Sequence, residues 1–81
     1  MITTAQVKAA RNLLEWNQQQ LAEASGIAIS TIKKIESRGG PLRGNADSIW
    51  KIEAAIMDAG AVFIDENGGG AGVRLRDRRE R

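Results

Sequence analysis

The sequence predicts a mainly α-helical bundle of four or five helices with a C-terminal β-hairpin. Apolar residues recur at helical spacing behind Thr3, Asn17 and Asn45, each of a type that caps helices. The segment behind Asn17 is short and meets a further short helical segment around Gly26. After Gly60 the pattern changes to two short apolar-rich runs separated by glycines.

The first helix follows from Thr3, with Gln6 three residues on to complete a capping box and Ile2 placed to staple onto Val7. Val7, Ala10 and Leu14 form its apolar stripe. The same device recurs at Asn17, with Gln20 as box partner and Trp16 positioned against Leu21; Gly26 ends this second helix early. A third helix is expected from about Ala28 to Ser37, with Ile32 and Ile35 inward and Gly39-Gly40 as its stop. Pro41 to Gly44 read as a loop. Asn45 caps a fourth helix with Ile49, Ile52 and Ile56 on one face, running to Gly60.

Ala61 to Ile64 reads as a strand, 67–72 as a flexible turn, and Val73 to Arg76 as a second, alternating strand. The first run is apolar on both faces, which implies burial on both sides. Helix four can cover one face, and the other is expected to meet a second subunit. The expected organisation is therefore residues 1–60 as the helical domain, 61–77 as a hairpin and dimerisation element, and 78–81 as a charged tail.

Eighty-one residues support one small core, since so short a chain buries only ~60% of its unfolded surface. The chain has no cysteine and no histidine, which removes disulfides, most zinc ligands and most nucleophile–base pairs. No metal, no cofactor and no enzymatic activity are expected. No apolar run approaches the ~20 residues of a membrane span and no secretory leader follows Met1, so a cytoplasmic protein is expected.

Net charge is +2, unevenly spread. Up to residue 44, Lys8, Arg11, Lys33, Lys34, Arg38 and Arg43 outnumber Glu15, Glu23 and Glu36. From 45 to 66, Lys51 faces Asp47, Glu53, Asp58, Asp65 and Glu66. The tail is basic again. A basic first half suits a polyanionic partner.

Residues 18–37 form the unit of most interest: two short helices joined at Gly26, with Leu21, Ile27, Ile32 and Ile35 as a shared core and Ala22 small where they cross. Ile29, Ser30, Lys33, Lys34 and Ser37 then lie away from that core. A helix with such a polar and cationic free face suits the major groove.

The segment resembles the helix-turn-helix of the Xre/Cro (lambda repressor-like) family. The resemblance spans about residues 2–59 and is sharpest at Asn17-Gln18, Leu21-Ala22, Gly26-Ile27, Ser30-Thr31-Ile32 and Ile35-Glu36. It implies a recognition helix at 28–37, base-edge contacts from Ile29, Ser30, Lys33 and Lys34, and phosphate contact from Gln18, with a base also in reach. Arg38 and Arg43 would fall near the DNA backbone. Asn17 and the first N–H groups of helix two would form a phosphate clamp. Lysine can donate to guanine O6 and N7, and an exposed isoleucine can pack on a thymine methyl. Lys34 is expected to read a base and Lys33 a phosphate or neighbouring base. The resemblance also implies that Arg11 and Glu36 form an internal ion pair between helices one and three.

One departure stands out: the family usually has serine or threonine where this chain has Ala28, a poor cap. Either the third helix starts loosely, or Ser30 caps a slightly later start. The Gly68–Gly72 run lacks the Gly-Lys-Ser/Thr of a phosphate loop and reads as a turn. Arg74, Arg76 and Arg78 alternate, and could touch DNA, hold an acidic partner, or pair with Asp65 and Glu66.

Together these readings predict a sequence-specific DNA-binding transcriptional regulator, read as a repressor. It would engage double-stranded DNA as a homodimer with recognition helices ~34 Å apart. The alternative is an antitoxin-like or bridging module whose main partner is a protein, such as a toxin or polymerase.

Overall fold

The computed structural model describes residues 2–66 and 68–76. The chain runs α1 (Thr4–Leu13), α2 (Gln18–Ser25), α3 (Ile29–Arg38), α4 (Ala46–Asp58), β1 (Ala61–Ile64) and β2 (Gly72–Leu75). Four helices are present among the described residues, and the hairpin follows them. The expected charged tail and Arg78 lie outside the described residues.

Local chemistry sets the helix starts. Thr3 Oγ1 accepts from Gln6 N–H at 3.1 Å, while Gln6 Oε1 accepts from Thr3 N–H at 2.8 Å, closing the box at α1. Asn17 and Gln20 repeat this at α2, with both bonds at 2.8 Å. Asn45 Oδ1 accepts from Asp47 N–H at 2.8 Å and Ser48 N–H at 3.4 Å to begin α4. At α3 the expectation of a residue-28 start shifts by one. Ala28 stands at the cap position without a side-chain bond, its carbonyl taking Thr31 and Ile32 N–H, and Ser30 is already inside the helix.

The chain reverses in two different ways. Gly26, at φ 75°, closes α2 with its N–H on Ala22 carbonyl at 2.9 Å, in a left-handed conformation that glycine adopts without steric cost. Between α1 and α2, Glu15 adopts φ 60° instead, and Trp16 N–H returns to Arg11 carbonyl at 2.9 Å.

Val7, Leu21, Ile32, Ile52 and Ile56 are the largest fully buried side chains, one or more from each helix. Leu42 joins this core from the segment read as a plain loop. Its N–H donates to Ile2 carbonyl at 3.1 Å and Thr4 N–H donates to Gly40 carbonyl at 2.9 Å, so 40–42 strap onto the chain entering α1.

β1 and β2 pair antiparallel, with Ala61 opposite Leu75 and Ile64 opposite Gly72. The hairpin packs on α1 as well as on α4. Of the burial expected on both faces of β1, a single chain supplies part. Ala61 is buried, Val62 and Phe63 are half-buried, and Ile64 is 41% exposed. Gln6 fixes the open end: its buried amide donates to Ile64 carbonyl at 3.1 Å and Gly72 carbonyl at 2.8 Å.

Candidate nucleic-acid interface

The two sides of α3 differ sharply. Ile32, Ile35 and Glu36 are buried, at the spacing of one helical face. Ser30, Lys33, Lys34 and Ser37, at i, i+3, i+4 and i+7, are all exposed and form a second stripe. Among the described residues neither lysine has a salt-bridge partner, and no acid shares the stripe. Ser37 differs from Ser30 in having its hydroxyl committed, donating to Lys34 carbonyl at 2.8 Å.

Ile29 departs from the free face expected of it. It is half-buried and packs against the core, because three residues before Ile32 is one turn on the same flank. Only part of its side chain is left to meet another molecule.

The start of α2 meets α3 at Glu36, through Gln18. Asn17 is exposed but its Oδ1 is occupied by the cap. Gln18 is half-buried, and its Nε2 donates to Glu36 Oε1 at 3.0 Å. One of its amide hydrogens is thus committed to the protein, leaving the other and the carbonyl oxygen for an outside partner. The backbone N–H groups of Gln18 and Gln19 open the helix at its positive end.

Glu36 holds the arrangement from within. Its Oε2 accepts from Arg11 Nε and its Oε1 from Arg11 Nη2, both at 2.9 Å, while Arg11 Nη1 donates to Trp16 carbonyl at 3.1 Å. The internal ion pair implied by the resemblance is present, so Arg11 serves the fold and not the exterior. Arg38 and Arg43 are exposed and border one shallow depression with Gly39, Gly40 and Pro41, just beyond the end of α3. The site thus combines a helix with an uncompensated cationic stripe, an amide-bearing helix start and two flanking guanidinium groups.

Sequence reasoning gave no role to Trp50 and Met57, which are 65% and 49% exposed on α4. Their seven-residue spacing, with Ala54 between, was the available signal. Arg76 donates to Met57 carbonyl at 2.6 Å and Arg74 to Leu75 carbonyl at 3.1 Å. Among the described residues no group of acidic side chains could hold a metal ion and no helix is long and apolar enough to cross a membrane.

The family model described as helix-turn-helix matches residues 7–55, more than half of the chain. It covers α2 and α3 completely and most of α1 and α4. No curated protein matches the sequence.

Proposed function

Because this chain belongs to the Xre/lambda repressor-like helix-turn-helix family of DNA-binding regulators, we propose that it is a sequence-specific repressor that reads the major groove as a homodimer. The observation that carries the reading is the exposed Ser30–Lys33–Lys34–Ser37 stripe on a helix whose opposite side is buried. An α-helix fits the major groove, where lysine donates to guanine O6 and N7. Lys34 and Ser30 read base edges, and Lys33 meets a phosphate or a neighbouring base. The outer part of Ile29 meets a thymine methyl. Gln18 and Asn17 at the head of α2, with Arg38 and Arg43 beyond α3, grip the backbone. Such a regulator works inside the cell, where the DNA is.

The hairpin supplies the dimer contact. Its partly open apolar side chains Val62, Phe63 and Ile64, on a sheet of only two strands, favour pairing with a second copy. Two helices presented this way fall one DNA turn apart, and the bound dimer obstructs polymerase.

Selection of bound sequences from random duplex DNA tests the reading, repeated with Lys34→Ala. Loss of preference at one base position supports base reading by Lys34, and a uniform loss assigns it to phosphate. Failure to bind any duplex at low ionic strength rejects the proposal. Sedimentation showing only monomer at high protein concentration rejects the dimer.

A further inference from the structure

The outward side of α4 lies outside the DNA-reading surface proposed above. Trp50, Ala54 and Met57 share one helix face and line a shallow groove with Glu53 and Asp58. Glu53 and Met57 also line the adjoining depression, which continues onto Val62 and Phe63 of β1. The two depressions adjoin through Glu53 and Met57, and the α4 groove holds a tryptophan that is 65% exposed. Tryptophan is among the residue types that anchor protein interfaces.

The α4 groove carries two carboxylates, Glu53 and Asp58, and no cation among the residues that line it. Among the described residues Glu53 and Asp58 have no salt-bridge partner, while Lys51 is turned to Asp47 at 3.3 Å. Asp65 lines the adjoining depression, and Arg76 directs its guanidinium to the Met57 carbonyl. A second copy centred on this groove would bring Glu53 and Asp58 near their own counterparts, and a nucleic acid would meet the same carboxylates. Like charges so apposed are unfavourable. The complementary occupant is both apolar and cationic.

The geometry points to the α4 groove of Trp50, Ala54 and Met57, short of the hairpin side chains proposed for the dimer, as the docking site for a cationic amphipathic helix of another protein. Its apolar side chains at i, i+3 or i+4, and i+7 lie on Trp50, Ala54 and Met57, and its flanking lysines or arginines meet Glu53 and Asp58. An arginine over the Trp50 ring adds a cation–π contact. The principal packing partners of α3 are α1 and α2, whereas those of α4 are α2 and β1. The groove and the cationic stripe of α3 thus belong to different elements, and one can be filled while the other is engaged.

The test uses the full chain carrying Trp16→Phe, which leaves Trp50 as the single tryptophan, since the sequence has two. Two synthetic amphipathic helices of leucine with lysine, or leucine with glutamate, are titrated into it. The leucine–lysine peptide is expected to shift Trp50 emission to shorter wavelength, saturably, and to bind at least about tenfold more tightly than its acidic counterpart. Glu53→Lys with Asp58→Lys is expected to invert that preference while leaving the thermal midpoint unchanged. If the double reversal unfolds, Glu53→Gln must still weaken the leucine–lysine peptide. Equal response to both peptides, or none, overturns the inference. So does an emission shift driven by protein concentration alone, which would put a second copy on this face, or one driven by duplex DNA.

Discussion

Arg11 and Glu36 meet at two points, with Nε on Oε2 and Nη2 on Oε1, each at 2.9 Å. The pair joins α1 to α3, and the carboxylate also receives Gln18 of α2, so all three helices share one charged centre. Glu36 is 3% exposed and Arg11 15%. Paired bonds between a guanidinium and a carboxylate are strong, but a buried charge deprived of its partner is costly. Glu36→Ala is therefore expected to destabilise the fold by about 3–5 kcal/mol in urea denaturation. Replacing both partners with apolar residues, Arg11→Met with Glu36→Leu, should cost far less, because no charge is stranded. A loss below about 1 kcal/mol in Glu36→Ala would mean that water reaches the pair as at a surface.

The same centre shows where sequence reasoning reaches and where it stops. Thr3 with Gln6, Asn17 with Gln20, and Asn45 are local devices, so the helix starts they set could be read directly from the chain. The inward positions of α3 were equally legible, because Ile32 and Ile35 define one side and leave Lys33 and Lys34 on the other. Glu36 meeting Gln18 spans 18 residues and depends on how α2 packs on α3. Nothing in the local pattern encodes it. Leu42 was missed for a related reason: four loop residues have no periodicity, and only the strap onto Ile2 turns its side chain inward. Glu15 carries a positive φ at a position where no glycine announces a turn.

The hairpin is expected to depend on one side chain of α1. Gln6 is 3% exposed and donates to Ile64 and Gly72 carbonyls, which are partners across the last rung of the hairpin. Gln6→Leu leaves both carbonyls and Thr3 N–H short of their partner inside the protein. A cost of about 1–3 kcal/mol is expected. Amide hydrogen exchange should quicken first in β1 and β2, with α2 and α3 little changed. Uniform acceleration across the chain would mean that the hairpin does not open separately from the bundle.

Arg38 and Arg43 lie past the end of α3, where the proposed DNA contact is to phosphate. A phosphate contact carries no sequence information, and releases counterions when it forms. Arg43→Ala should then weaken binding to every duplex by a similar factor and lower the slope of log affinity against log salt by about one. Changed base preference with an unchanged slope would assign Arg43 to a groove instead.

Ala28 offers the opposite kind of test, a gain. It sits at the head of α3 in an extended conformation, φ −58° and ψ 141°, with no side-chain bond to the first turn. The residue is exposed, so a hydroxyl there has room. Ala28→Ser supplies an acceptor for a free N–H of that turn, and exchanging alanine for serine at such a position contributes about 0.5–2 kcal/mol. For a domain of this size each kcal/mol raises the thermal midpoint by about 4–8 °C. The helix would begin more firmly without moving Ser30, Lys33 or Lys34 around its axis, so base preference should stay as it is while the melting temperature rises. A rise in stability accompanied by altered base preference would show instead that the uncapped start lets α3 shift, and that this freedom is part of how the helix reads DNA.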